Sequence, residues 1–312
     1  MTNLIRTIVF VGISAIAATS WAGPIAPDPA KLRLASSNAL IVDTEDGHSI
    51  YAKAADDVTP IASITKLMTA MVVLDANLPL DEPIAIDLDD LDFLKGSHSR
   101  LRMGTELPRR ELLRLALMSS ENRAASALAR HYPGGSDAFV TAMNAKAQAI
   151  GMSRSQFHDS TGLSPRNVST AHDLAKMVRA AAQYPLIRDY STTPSHYVEV
   201  QPAGQLLGFN NSNGLVKSGG WDIQLQKTGY IREAGRCLVM LAQIASKPVV
   251  IVLLDSVGKY TRMGDANRVK HWIETGESLP AVKAVPVSSK AKKPVRGTIQ
   301  PTLTQTALKT SR

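Results

Sequence analysis

Ser63 and Lys66 lie three residues apart where an apolar segment begins, and the spacing from Ile64 to Ala76 predicts a helix with Ser63 at its N-terminal cap. Residues three apart share one face of a helix, so the Lys66 amine can reach the Ser63 hydroxyl. A serine hydroxyl becomes a nucleophile when a base takes its proton, and a lysine can be that base if burial or a second cation lowers its pKa. The same spacing recurs at Ser256–Lys259 and Ser289–Lys292, so the pair alone does not identify a site.

Two further motifs follow in chain order and give this pair a context. Ser120 and Asn122 form an S-x-N at a predicted junction between helices, and Lys227, Thr228 and Gly229 form a K-T-G on a predicted strand. Ser120 can relay a proton between the lysine base and a leaving amine, and the Asn122 amide can hold a substrate amide. Lys227 and Thr228 can bind a substrate carboxylate, while Gly229 lets the strand approach the substrate closely. In this order the three motifs form the set found in penicillin-recognising serine enzymes.

The strands and helices predicted around these motifs indicate an α+β fold. Strands are predicted at 39–43, 48–53, 223–231, 237–244 and 249–254. The stretch from 106 to 183 is predicted to be mostly helical, with helices at 139–150 and 171–182, and a last helix is predicted at 262–274. Strands at both ends of the chain with helices between them predict an antiparallel sheet flanked by helices, with an inserted all-α region. Ligand sites tend to form in the cleft between two such regions.

The positive charge of the chain is concentrated in its last residues. The net charge is +8, yet residues 23–280 contain 27 basic and 27 acidic residues, whereas residues 281–312 contain seven basic and no acidic ones. A nucleic-acid-binding domain would carry a basic patch on its folded part, so this class is excluded. We expect residues 281–312 to form a disordered basic tail that associates weakly, and reversibly with salt, with anionic envelope surfaces.

The first 22 residues have the features of a secretory signal. Arg6 precedes an apolar run of 11 residues from Ile8 to Ala18, and Ser20 and Ala22 are the small residues expected before a cleavage site. The run is shorter than the roughly 20 residues that span a bilayer. We therefore predict signal cleavage, export to the periplasm and a catalytic domain over residues 23–280. The single cysteine, Cys237, excludes an internal disulfide.

The segments around the motifs resemble those of low-molecular-weight penicillin-binding proteins, the D-alanyl-D-alanine carboxypeptidase family. The similarity extends from Ala39 to Gly276 and is carried by Pro60-IASITKLMTAMVVLD, Ser120-ENRAASALA and Trp221-DIQLQKTGYI, with Asp159-STGL and Asn211-SN bracing the site. The endopeptidase branch of the family is the closer match, because typical carboxypeptidases have a glycine two residues before the K-T-G lysine, where this chain has Leu225. The chain also ends in a polar tail where typical carboxypeptidases carry a β-rich domain and an anchor helix.

The resemblance implies a β-lactamase-like fold and a role for each motif. It implies that Ser63 forms the acyl-enzyme with Lys66 as proton acceptor, and that the backbone N–H groups of Ser63 and Tyr230 form the oxyanion hole. The remaining motif residues bind the substrate and relay protons: Ser120, Asn122, Lys227, Thr228 and Gly229. We expect Lys66 to be neutral and Lys227 charged. The implied substrate is peptidoglycan peptide, the implied inhibitors are β-lactams, and no cofactor or metal is implied.

Several alternatives remain at this point. A class A β-lactamase needs a deacylating glutamate with an asparagine four residues later, whereas between Asn122 and Lys227 the only glutamate is Glu199, followed by Ala203. A penicilloyl sensor would need a transmembrane partner segment. A metallopeptidase would need a histidine pair such as H-x-x-x-H, which the seven histidines do not form. Carboxypeptidase and endopeptidase action remain open, because both attack a D-alanine carbonyl and differ only in the leaving group.

Overall fold

The computed structural model describes residues 27–280, so the predicted signal and basic tail lie outside the described residues. The strands are β1 Asn38–Asp43, β2 Ser49–Lys53, β3 Thr59–Pro60, β4 Pro83–Ala85, β5 Glu106–Pro108, β6 Val168–Ser169, β7 Ser195–Val200, β8 Gln205–Asn210, β9 Asp222–Ile231, β10 Gly235–Ile244 and β11 Lys247–Ser256. The helices are α1 Lys66–Asp75, α2 Arg109–Met118, α3 Asn122–Arg130, α4 Gly135–Ala149, α5 Ala171–Ala181, α6 Pro185–Thr192 and α7 Thr261–Thr275.

A five-stranded antiparallel sheet joins the two ends of the described chain. Its strand order is β2-β1-β11-β10-β9, and β1 pairs with β11 with Asn38 opposite Leu254 and Asp43 opposite Val249. The helices α1 to α6 are inserted between the two strand groups. The predicted α+β arrangement is therefore confirmed.

Side chains on the two faces of the sheet pack into two separate hydrophobic cores. Ile41 on β1 and Leu253 on β11 pack with Trp272 of α7 on one face, whereas Leu40 and Val252 belong to the larger core that contains the inserted helices. Successive residues of a strand point to opposite faces, which explains this division. Since both faces are covered, all six residues of β1 are buried.

Helix α1 passes through the centre of the larger core. Eight of its ten residues are buried, and it packs against α4, α5, α2 and α3. Because this helix is enclosed on nearly all sides, its residues from 67 to 74 are apolar all round, with Thr69 the one exception, rather than in one stripe. The S-x-x-K motif stands at the start of this helix, where it meets strand β9. None of the helices within residues 27–280 is long and apolar enough to cross a membrane.

Two local features differ from the sequence predictions. Ser63 does not cap a helix: it lies inside a 3₁₀ turn, Ala62–Thr65, that precedes α1, and Thr65 occupies the cap position. The left-handed backbone of Ala62, with φ of 48°, redirects the chain before the helix begins. The hairpin of β7 and β8 was not predicted, because its strands pair only with each other and bury few side chains.

Candidate active site

Two glycines hold the turn that carries Ser63. A Cβ atom on Gly162 would lie 2.0 Å from the Ala62 carbonyl oxygen, and one on Gly229 would lie 2.9 Å from that of Ile61. Any side chain at either position would therefore displace the backbone of the turn. Gly162 comes from the loop after α4 and Gly229 from β9, so the serine turn is clamped between the helical region and the sheet.

Lys66 is fully buried and lies at the centre of a small hydrogen-bond network. Its Nζ is 3.0 Å from Ser63 Oγ, 2.7 Å from Asn122 Oδ1 and 2.6 Å from the Thr161 carbonyl oxygen. A neutral lysine amine has two N–H donors and one lone pair. Two carbonyl-type acceptors can take the two N–H groups, which leaves the lone pair to accept the Ser63 hydroxyl proton. This geometry suits a general base.

Burial lowers the pKa of Lys66 to about 7, since no water solvates its ammonium form. The negative charges of Asp159 and Glu121 act in the opposite direction and keep the pKa from falling further. At neutral pH a large fraction of the amine is therefore unprotonated. The pKa agrees with the hydrogen-bond geometry in favouring a proton acceptor.

The carboxylate of Asp159 shapes the loop that supplies the Thr161 carbonyl. It accepts hydrogen bonds from the backbone N–H groups of Thr161 and Gly162, both at 2.6 Å, and from that of Ser164 at 2.9 Å. These bonds fold the loop tightly enough to place Gly162 under the serine turn. Asp159 thus positions Lys66 through the loop.

Ser120 and Lys227 form a second pair across the cleft. Lys227 Nζ donates to Ser120 Oγ at 2.9 Å and to the Thr228 carbonyl at 2.8 Å. Ser120 has a left-handed backbone with φ of 62°, which is costly for a residue other than glycine. Backbone strain of this kind often marks a functional site.

Lys227 is also fully buried, and burial together with the positive charges of Lys66 and Arg262 holds its pKa well below the usual range. The pKa values of both lysines are thus lowered in the free protein, and the contrast between a neutral Lys66 and a charged Lys227 stays a prediction. A carboxylate bound beside Lys227 would raise its pKa again and favour the ammonium form.

The sequence-predicted residues thus form two hydrogen-bonded groups. Ser63, Lys66 and Asn122 make one, and Ser120 with Lys227 makes the other. Within the described residues, Lys66 and Ser120 share no hydrogen bond. Thr228 Oγ1 bonds Ser212 Oγ at 2.7 Å, and Gly229 lies against the serine turn. Tyr230 follows on β9 with an exposed ring over which the Arg236 guanidinium lies at 4.4 Å.

Sequence reasoning missed some residues of the site. Arg262, at the start of α7, donates to the Gly229 carbonyl at 3.0 Å, and burial lowers its own pKa to about 10. Ser97 accepts a hydrogen bond from Asn122 Nδ2 at 2.9 Å and thereby orients the amide oxygen toward Lys66. Neither residue belongs to a spaced motif. Only the three-dimensional contacts identify them.

No carboxylate among the described residues accepts a hydrogen bond from Lys66 or Ser63. Glu199, the only glutamate between the second and third motifs, lies on hairpin strand β7 and accepts from Gln201. The acceptors beside Lys66 Nζ are the Asn122 amide oxygen and the Thr161 carbonyl oxygen. Residues 27–280 also contain no cluster of three His, Cys, Asp or Glu side chains suited to a metal.

The chain is similar to curated proteins over most of its length. It is 48% identical to a D-alanyl-D-alanine endopeptidase of Pseudomonas aeruginosa over 93% of this chain and 94% of that protein. It is 51% identical to a D-alanyl-D-alanine endopeptidase of Escherichia coli K12 over 83% of this chain and 84% of that protein. The carboxypeptidase of Streptomyces strain K15 is 31% identical over 85% of this chain and 96% of that protein.

Solved structures agree with this relationship. The crystal structure of the Streptomyces K15 DD-transpeptidase superposes with a TM-score of 0.71 and 30% identity, over 76% of this chain and 96% of that one. Penicillin-binding protein D2 of Listeria monocytogenes, in a cefotaxime-bound form, gives a TM-score of 0.67 and 28% identity over 76% and 96% of the two chains. The family profile of D-alanyl-D-alanine carboxypeptidase matches residues 25–258. The chain therefore belongs to the D-alanyl-D-alanine carboxypeptidase family of serine peptidases, peptidase S11.

Proposed function

We propose that this protein is a serine D-alanyl-D-alanine endopeptidase that cleaves the bond between D-alanine and a diamino acid in cross-linked peptidoglycan. The observation that carries the chemistry is the position of Lys66 Nζ, which has two carbonyl-type acceptors and the Ser63 hydroxyl as its neighbours. The similarity to two endopeptidases over most of the chain favours cross-links as the substrate.

Acylation begins when the neutral Lys66 amine accepts the Ser63 hydroxyl proton and Oγ attacks the D-alanine carbonyl carbon. The backbone N–H groups of Ser63 and Tyr230 stabilise the oxyanion, an interaction typically worth about 3 kcal/mol for each donor. When the C–N bond breaks, the proton passes from Lys66 through the Ser120 hydroxyl to the leaving amine. Water then attacks the acyl ester while Lys66 accepts one of its protons, and Lys66 passes this proton to Ser63 Oγ as the ester bond breaks.

The other site residues hold the two ends of the scissile segment. The Asn122 amide lies beside Lys66, and its Nδ2 and Oδ1 each keep a further hydrogen-bonding capacity with which they can bind the amide that precedes the reacting D-alanine. Lys227, Thr228 and Ser120 bind the carboxylate next to the leaving amine, and Gly229 leaves room for the substrate backbone. In a cross-link that carboxylate belongs to the diamino acid, and in an uncross-linked stem it belongs to the terminal D-alanine.

Digestion of purified muropeptides tests the endopeptidase assignment against carboxypeptidase action. We expect the protein to convert cross-linked dimers into monomers, with the products identified by mass, and to release little free D-alanine from pentapeptide monomers. The Ser63→Ala variant serves as the control for contaminating hydrolases. Release of D-alanine from monomers with no conversion of dimers would instead assign the protein as a carboxypeptidase.

Replacement of Lys227 tests whether its charge binds the substrate carboxylate. We expect Lys227→Ala to lower the second-order rate of acylation by a penicillin by about 10²-fold, because a charge-assisted hydrogen bond contributes roughly 1.5–3 kcal/mol. Lys227→Arg should retain more activity because it keeps the positive charge. Thermal melting monitors the fold of both variants, and equal losses in the two would contradict a role for the charge.

The cellular place of the protein is part of the proposal. The signal features of residues 1–22 support export, and a peptidoglycan substrate requires a location outside the cytoplasmic membrane. We therefore propose a periplasmic enzyme that the basic residues 281–312 hold loosely at the envelope.

A further inference from the structure

Residues 92–97 form a strap that links the helical region to the sheet. Ser97 Oγ accepts a hydrogen bond from Asn122 Nδ2 at 2.9 Å, at the start of α3. Lys95 Nζ pairs with Glu233 Oε1 at 2.6 Å, and Glu233 lies in the turn between β9 and β10. Within the described part of the chain, no other hydrogen bond joins the strap to this turn. The ion pair is therefore the polar link between the strap and the sheet.

The strap completes a closed ring of contacts that includes Ser63. Lys66 Nζ bonds both Ser63 Oγ and Asn122 Oδ1. The turn that carries Ser63 lies against Gly229 of β9, and this strand continues through Tyr230 to the turn that the ion pair reaches. In the proposed reaction, the substrate contacts Asn122 on one side and the Tyr230 N–H on the other. The acyl part of the substrate therefore lies between the two arms that the ion pair joins.

The ion pair is the most exposed side-chain contact of the ring, since 27% of the Lys95 side chain and 40% of the Glu233 side chain reach solvent. Water replaces either partner of such a pair at little cost. Gly96 separates Lys95 from Ser97, and its φ is 62°. Apart from its chain neighbours, no described atom lies within 4 Å of the position that a Cβ on Gly96 would take. Rotation about Gly96 can therefore move Lys95 while Ser97 keeps its bond to Asn122.

A ring of this kind treats two kinds of strand differently. A peptide with a free end can be threaded through the ring while the ion pair stays closed. In intact peptidoglycan, each of the two peptides that a cross-link joins is also attached to a glycan strand, so this substrate has no free end. It has to enter the cleft from the side, and the ion pair must open first.

We propose that the Lys95–Glu233 ion pair gates the cleft and thereby sets the preference for strands with a free end over strands attached to polymer at both ends. The inference rests on the proposed function, since it takes an intact cross-link as the natural strand of the second kind. Within residues 27–280, neither Lys95 nor Glu233 hydrogen-bonds to Ser63 or Lys66. The two residues therefore determine specificity without taking part in the chemistry.

Two cephalosporins test the gate. One carries a dextran chain on each of the two substituents of its ring system, and the other carries a single dextran of the same total mass on one substituent. A β-lactam acylates Ser63 whether the natural target is a cross-link or a terminal D-alanine. Failure of the endopeptidase assignment therefore stays separate from failure of this proposal. The quantity measured is the second-order acylation rate of the doubly substituted probe divided by that of the singly substituted probe.

We expect this ratio to rise about two- to fivefold in Lys95→Met and in Glu233→Gln, the range for an exposed ion pair. The two substitutions change the net charge in opposite directions, so a common rise identifies the lost pair as the cause. The rate with the singly substituted probe should stay close to the native rate. The double variant Lys95→Glu, Glu233→Lys should return the ratio toward the native value. High ionic strength should raise the ratio of the native protein alone, because salt screens the pair.

The matched control is Lys31→Met, which removes a lysine from another exposed ion pair, at 2.7 Å from Glu277 and outside the ring. It should keep the native ratio. An unchanged ratio in both Lys95→Met and Glu233→Gln would overturn the proposal, and so would a rise in only one of them. A rise of the same size in Lys31→Met would also overturn it, because the effect would then belong to any lost surface lysine.

Discussion

A Ser63→Ala variant should show no covalent labelling by a fluorescent penicillin, whereas the native protein should be labelled to one molecule per chain. The hydroxyl is the only group of this side chain that can form the ester, so its removal leaves no bond to the β-lactam carbonyl. Ser63 is half-buried, and within residues 27–280 its hydroxyl hydrogen-bonds only to Lys66, so we expect a melting temperature close to that of the native protein. Gel fluorescence and circular dichroism measure the two effects.

Ser256→Ala provides the matched control, because Ser256 begins another S-x-x-K motif. Its hydroxyl is buried and bonds Ser36 Oγ at 2.6 Å, while Lys259 lies on the surface beside the Tyr260 ring. We expect full labelling with a free energy of unfolding lowered by about 0.5–1.5 kcal/mol, the typical net contribution of one hydrogen bond, because Ser36 Oγ keeps its bond to Asp265. Full labelling of Ser63→Ala would exclude Ser63 as the nucleophile.

The contrast between these two motifs shows what sequence spacing contributes. Ser63 and Ser256 are equally followed by a lysine three residues later, but only Ser63 is followed in order by S-x-N and K-T-G. That order selects Ser63 as the candidate nucleophile. The apolar runs of β10 and β11 predict strands, because strands buried on both faces are almost continuously hydrophobic. The other residues of the site lie neither in an apolar run nor in a motif with a characteristic spacing.

Arg262 and the Thr161 carbonyl illustrate why the sequence did not predict the remaining contacts of the site. Arg262 is the second residue of α7, which packs on β10 and β11, and its guanidinium reaches the site by donating to the Gly229 carbonyl of β9. Thr161 contacts Lys66 through its backbone carbonyl oxygen. Every residue has such an oxygen, so the residue type does not predict this contact. The orientation of the Thr161 carbonyl depends on the hydrogen bonds that Asp159 makes within the loop. Such contacts follow from tertiary packing rather than from local pattern.

Lys66→Arg should lose acylation by penicillin although it keeps the positive charge. Arginine remains protonated in proteins, so it has no lone pair with which to accept the Ser63 proton. General-base catalysis typically contributes about 10²- to 10⁴-fold, and we expect a loss in that range in the second-order acylation rate. Because the larger guanidinium has to fit a fully buried site, Lys66→Met provides a second variant that removes the amine with less added volume.

The pH dependence distinguishes loss of a base from loss of packing. Burial lowers the pKa of Lys66 to about 7, so below this pH the amine is protonated and cannot accept a proton. The acylation rate of the native protein should therefore fall about tenfold per pH unit below 7 and level off above it. The second-order rate constant is the quantity to measure, since it reports the free enzyme. In Lys66→Met the residual rate should lack this titration. Near-native acylation by Lys66→Arg, or the same acidic limb in Lys66→Met, would assign the base to another group.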